Sequence, residues 1–203
     1  MCTRRICQRL TQRGVTLVEL VVFIVVVSVG VVGLLTVGGS VVRGSADPMN
    51  RKQALAVAQS LLLEITQQPF TYCDPQDAAA ISASSTSGCT GGAANSQDKG
   101  GAAFPAPGAP SPTPVGEIRG DAANPYDNVA DYAGYQASGA DVTGVAELVD
   151  LTASVTISRV GGSGAWAALP LDAVLQIVVR VTGRGEDVSL TGWRVRYAPN
   201  APG

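Results

Sequence analysis

The sequence contains no histidine. That excludes Ser-His-Asp and Cys-His catalysis, and every metal site that relies on imidazole. Charge is also scarce. Only 15% of the 203 residues are charged, with 14 basic and 16 acidic side chains and a formal charge of -2. Such a balance leaves no electrostatic footprint for DNA or RNA, so no nucleic-acid partner is expected. No nucleotide-binding glycine motif is present. Gly161-Gly162-Ser163-Gly164 lacks a following lysine and reads as a flexible turn. What the chain has in plenty is apolar residues, at 46%, together with 24 glycines and 12 prolines. The mean hydropathy of +0.22 is high for a soluble domain. The length suits one domain with appendages.

The apolar excess is concentrated near the start. Residues 1–14 carry Arg4, Arg5, Arg9 and Arg13 and no acid. The next 28 residues, Val15–Val42, contain Glu19 as their only charge. As a helix this run spans about 42 Å, more than the ~30 Å hydrocarbon core of a bilayer. It predicts a membrane-spanning helix. The four arginines put the N-terminus in the cytoplasm and the remainder outside. A cleaved secretory signal has a shorter apolar core followed by small residues. Thr3-Arg4-Arg5 is similar to the opening of a twin-arginine signal, but leader charge explains the pair more simply. A plain signal anchor fits the length. It does not explain an acid five residues into the run, where an ionisable group is costly and points to function.

Arg13-Gly14-Val15-Thr16-Leu17-Val18-Glu19-Leu20 resembles the processing motif of type IV prepilins. The resemblance implies cleavage after Gly14 by a membrane prepilin peptidase. It also implies N-methylation of the new N-terminus, Val15, and an assembly carboxylate at Glu19, the fifth mature position. Position one in that family is usually phenylalanine or methionine, and here it is valine. The physics is consistent with the resemblance. A buried carboxylate needs an opposite charge or takes up a proton, and a neighbouring subunit's free amine is such a charge. The first helical turn also favours an acid through the helix dipole. The plainer alternative is a protonated Glu19 facing headgroups.

Beyond the leader, Pro48 marks a bend, and a second helical stretch is expected from about Met49 to Gln68. Ala54, Val57, Ala58, Leu61, Leu62 and Ile65 recur at helical spacing and predict one buried stripe. Pro69 ends the helix. Residues 78–116 are rich in Ala, Ser, Gly, Thr and Pro, with Asp98 and Lys99 their only charges. They are expected to form a long exposed loop or linker, since such a composition cannot bury enough apolar surface to order itself. Leu148–Arg159 alternates, with Val149, Leu151, Ala153, Val155 and Ile157 on one face. Val174–Thr182 and Val188–Tyr197 predict two further strands, joined by a hairpin loop at Gly183-Arg184-Gly185-Glu186. In the last of these, Trp193, Val195 and Tyr197 share a face opposite Arg194 and Arg196. An antiparallel sheet with one apolar face needs a cover, which the helical stripe supplies.

Further segments carry a finer likeness. Lys52–Leu62, Pro69–Pro75, Asn124–Tyr132 and Leu190–Pro199 are similar to minor pilins of the mannose-sensitive haemagglutinin (MSHA) pilus, the D-type biogenesis subunit among them. That resemblance implies a minor subunit that builds or primes a pilus. Its partners would be prepilin peptidase, other major and minor pilins, and an inner-membrane assembly platform.

Four cysteines are present. Cys2 and Cys7 belong to the leader. Cys73 and Cys89 lie in the exported region, where thiols oxidise, and a bridge between them is expected. It would close a loop of about 17 residues and contribute roughly 3 kcal/mol in the chain-entropy model. Asp121, Asn124, Asp127, Asn128 and Asp131 cluster in a turn-rich segment. Asp121, Asp127 and Asp131 are candidate calcium ligands, but the spacing is not that of an EF-hand, and Asx turns explain the residues equally well. No cofactor and no metal is expected.

The fold class expected is α+β and pilin-like, a long N-terminal helix packed on a C-terminal antiparallel sheet. The divisions are a leader at 1–14, a transmembrane helix at 15–42 and the exported half of the helix at 43–70. A loop region at 71–147 with the insertion at 78–116, and a sheet region at 148–203, complete them. The function expected is non-enzymatic: a minor pilin acting in assembly or priming, single-pass in a bacterial inner membrane with its C-terminal domain in the periplasm. The alternatives are a minor pseudopilin of a type II secretion system and a membrane-anchored periplasmic binding or hydrolytic module. Without the four arginines of residues 1–14 the formal charge moves from -2 to -6, again against DNA capture.

Overall fold

The structure is a computed structural model that describes residues 14–201, leaving aside the side chains of 36–47, 93 and 94. The expected leader, with Cys2 and Cys7, lies outside the described residues except for Gly14. The chain divides between Asp47 and Pro48 into two compact units. The helix α1, Leu17–Gln67, contributes to both and contains Pro48. The bend expected there does not break the element, because proline removes one N–H from a ladder of 51 residues.

In the first unit, Thr16 starts the helix. Its Oγ1 accepts from the Glu19 amide at 3.3 Å, and its carbonyl accepts from the Leu20 amide at 3.0 Å. These bonds satisfy donors that a helix N-terminus otherwise leaves bare. Leu17–Leu35 has a mean hydropathy of 2.9 and no buried residue. Ser28 returns its hydroxyl to the Ile24 carbonyl at 2.7 Å, so it exposes no unpaired donor.

In the second unit, α1 buries the predicted stripe. Ala54, Val57, Ala58, Leu61 and Ile65 are fully buried, with Leu62 partly so. The helix ends at Gln67, two residues before Pro69, and the Gln68 amide tightens back onto the Ile65 carbonyl. The stripe lies on a four-stranded antiparallel sheet of order β1-β2-β3-β4: β1 Gln136–Ser138, β2 Thr152–Arg159, β3 Val174–Gly183 and β4 Glu186–Val195. Register places Ala153 opposite Val181, Val155 opposite Val179 and Ile157 opposite Ile177, so all six share the core face. On β4 the same face carries Val188, Leu190, Gly192 and Arg194. A Cβ on Gly192 would come within 3.0 Å of Leu62 Cδ1, so this glycine lets the helix approach the sheet closely.

Several local expectations shift. Strand β2 begins at Thr152 rather than Leu148, because 146–148 form a 3-10 turn. Val149 is 59% exposed and does not join the core face with Leu151. The last strand runs Glu186–Val195 rather than Val188–Tyr197, and its aromatic face is the outer one: Trp193 is 49% exposed, and Tyr197, beyond the strand, 77%. The strand β1, with no alternating signal of its own, is recruited by pairing to β2. The hairpin loop is as read. Arg184 and Gly185 both have positive φ, the geometry of a type I′ turn.

The largest difference concerns residues 78–116. They fold back on the domain, with Ala80, Ala83, Cys89, Ser96, Gln97, Asp98 and Thr113 buried. Polar contacts replace the missing apolar burial. Cys73 and Cys89 form a disulfide, and Cys73 pairs with Ser96 in a one-residue bridge. The Asp77 carboxylate accepts from the Thr90 amide and hydroxyl at 3.0 and 2.7 Å. The Asn200 side chain donates to the carbonyls of Ala80 and Ala83 at 3.2 and 2.7 Å. The proline-rich run crosses Gly134, whose φ of +78° and proximity to the Ala106 carbonyl leave no room for a side chain.

Candidate functional site

Two places concentrate unusual chemistry. The first is the start of α1. Gly14, Val15 and Thr16 precede the helix in irregular backbone and are exposed. A Cβ added at Gly14 would meet no atom within 4 Å, and Gly14 is not among the glycines of positive φ. The folded chain therefore does not require glycine there. Glu19 lies in the first helical turn, where the macrodipole favours an acid. Around and beyond it, Leu17, Phe23, Val29 and Leu34 are 78%, 64%, 69% and 75% exposed. A helix apolar on every side needs apolar surroundings that its own unit does not supply.

The second place is a buried acidic cluster. Asp74 follows α1, Glu117 follows the proline-rich run, Asp127 precedes a 3-10 turn at Val129–Tyr132, and Asp131 lies within that turn. One carboxylate oxygen from each lies within 4.8 Å of the others. Asn128 sets the turn. Its side chain accepts from the Ala130 amide and donates to Thr71 Oγ1, both at 3.1 Å. Asp131 answers by accepting from the Asn128 amide at 3.0 Å and the Thr113 amide at 3.1 Å. Asp74 accepts from the Gln76 amide at 2.7 Å and the Gln97 side chain at 3.1 Å. Neither Glu117 oxygen, nor Asp127 Oδ1, accepts a hydrogen bond among the described residues. Lys99 bonds the Thr113 hydroxyl and is the cation drawn toward Asp131, Glu117 and Asp74.

Burial pushes the Asp74 carboxyl up to about 6, with the charges of Asp127 and Asp77 adding to it. Burial and mutual repulsion also raise Glu117 and Asp131, and burial raises Asp127. Desolvation lowers Lys99 despite the surrounding acids. Of the three sequence candidates, Asp127 and Asp131 are in the cluster and Asp121 is not. Asp121 Oδ1 caps a turn, accepting from the Ala123 and Asn124 amides at 2.7 and 2.8 Å. Sequence reasoning did not find Asp74 and Glu117. Their distance along the chain hides them, and the only local hint at 117 is a lone acid closing a chargeless stretch.

A third polar group supports the second unit. Glu64 on α1 receives Arg119 Nε and Nη2 at 2.7 and 2.6 Å, and the Tyr132 hydroxyl at 2.7 Å. Arg119 also donates to the carbonyls of Asp141 and Val142. The sequence offers no periodic signal for this cluster either.

Residues 9–35 match the family described as the prokaryotic N-terminal methylation motif. The match covers Gly14, Val15, Glu19 and the apolar start of α1. With the helix-and-sheet architecture, it supports a type IV prepilin-like protein anchored in a membrane by that helix. Processing by prepilin peptidase and association with other pilins are what the motif implies. No curated protein and no solved structure matches the chain.

Proposed function

We propose that this chain is a minor pilin, a non-enzymatic subunit that assembles or primes an MSHA-like type IV pilus. Prepilin peptidase cleaves it between Gly14 and Val15, and Val15 is methylated. The apolar start of α1 then joins other pilins, with Glu19 facing a neighbour's terminal amine. The second unit lies in the periplasm, and the protein meets the assembly platform at the inner membrane. The observation that carries this reading is a methylation motif at residues 9–35 that runs into a helix with no buried residue over Leu17–Leu35. N-terminal sequencing of the membrane-extracted protein tests it. The expected start is Val15, and an intact Met1 overturns the reading. Gly14→Ala is expected to fold as the wild type and to slow cleavage, because the added methyl group meets the peptidase and not the chain.

A minor pseudopilin of a type II secretion system has the same N-terminal features. Deletion separates the two: loss of surface pili with normal secretion fits the pilus, and the reverse fits the secretion system.

A further inference from the structure

The acidic cluster of the second unit lies outside residues 9–35, and among the described residues Lys99 is the cation drawn toward three of its four acids. Asp131 is fully buried, and Asp74 and Glu117 are 3% and 4% exposed. Glu117 points into the group with both oxygens unpartnered among the described residues, as is Asp127 Oδ1. A buried carboxylate without a partner is strongly unfavourable. Lys99 brings one positive charge against four carboxylates. Meanwhile Asp74 and Asp131 are held in place by amide donors, which leave a further lone pair on each oxygen. Asp127 accepts from Gln76 Nε2 at 3.4 Å through Oδ2 alone, so oriented carboxylates stand beside free oxygens, the arrangement by which outer hydrogen bonds prepare a metal site.

We propose that Asp74, Glu117, Asp127 and Asp131 bind a calcium ion. The donors are all hard oxygens. The chain has no histidine, and the cysteines of this unit are joined in a disulfide, which disfavours softer transition metals. One oxygen from each acid lies within 4.8 Å of the others, close enough to share a single ion, and calcium accepts six to eight oxygens in flexible geometry. Magnesium demands near-ideal octahedral geometry and gives up its waters reluctantly, which suits a cage of four protein carboxylates less well. Gln97, fully buried with Oε1 unpartnered and bonded to Asp74, offers a neutral oxygen at the edge. A cavity of about 220 Å³ lined by Asp74, Gln76, Asp77, Asn95, Thr113 and Pro114 adjoins the cluster at Asp74. The ligands come from three separate stretches of chain. Binding therefore pins the disulfide-closed segment and the proline-rich run to the turn at Asn128.

The test uses the full chain in detergent micelles, freed of divalent ions with a chelator and titrated with calcium chloride. Calorimetry is expected to show one calcium per chain. At a hundredfold excess over the dissociation constant the unfolding midpoint should rise by about 5–10 °C. Glu117→Gln should abolish both responses. It should still fold in chelator and unfold near the wild type's temperature, because glutamine keeps the shape of an acid that burial already biases toward its neutral form. That second readout identifies a folded variant that has lost the ion. A folded wild type without a calcium response overturns the proposal, as does a calcium response unchanged in Glu117→Gln. An equal response to magnesium chloride overturns the assignment to calcium.

Discussion

Glu19 is the residue whose position the fold alone does not account for. It takes part in the start of α1 through its amide, which bonds Thr16 Oγ1, and not, among the described residues, through an ion pair of its carboxylate. A carboxylate in an apolar helix gains most from an opposite charge on another chain, where low dielectric strengthens the attraction beyond that of a surface pair. Glu19→Ala and Glu19→Gln are therefore expected to be targeted and cleaved normally. At equal abundance, both should enter sheared filaments at least about tenfold less than the wild type, equivalent to ~1.4 kcal/mol. Glutamine tests charge at constant shape. Normal recruitment of both variants would make the acid passive.

Glu64 works the other way, entirely within the second unit. Burial alone would raise its carboxyl, but the hydrogen bonds from Arg119 and Tyr132 outweigh it and hold the group below its usual 4.5. The folded value lies below the unfolded one, so the contribution is fully present above pH 4.5 and lost as pH falls through the folded value. Arg119 and Glu64 are 17% and 29% exposed, so solvent screens the pair in part. Glu64→Gln is expected to cost about 1–2 kcal/mol at pH 7. That difference should shrink toward zero in urea titrations below pH 4. A constant difference across pH would refute the pairing.

Among elements, α1 shows one helix built on two patterns. Over Leu17–Leu35 it is apolar on all sides, and from Ala54 to Ile65 it is apolar on one side only. The change from an all-round surface to a stripe marks where the helix stops needing apolar surroundings from outside and begins to cover a sheet. The segment after it depends on covalent and polar ties. Replacing Cys73 and Cys89 together by serine should lower stability by about 3 kcal/mol in the chain-entropy model. Limited proteolysis should then cut between 74 and 98, while the membrane-bound fraction stays constant. Resistance equal to the wild type would show that the hydrogen bonds of Asp77 and Asn200 suffice without the bridge.

For the molecule as a whole, the sequence was enough wherever the determining pattern is local. The apolar run, the glycine-to-glutamate motif, the stripe at helical spacing, the alternating strands and the hairpin glycines can each be read within a dozen or so residues. Periodicity and turn chemistry act at that range. Even the Cys73–Cys89 bridge follows from compartment and the shortness of the loop. Tertiary structure decided the rest. Glu64 and Arg119 stand 55 residues apart, and Asn128 and Thr71 57 apart. Asp74 joins Glu117 only because residues 78–116 fold back on the domain. Composition argued against that folding, since it registers apolar surface and not the hydrogen bonds that replace it. Polar contacts have no period along a chain. They arise where the packing of α1 on the sheet brings loop ends together, and that is why the acidic cluster became visible only in three dimensions.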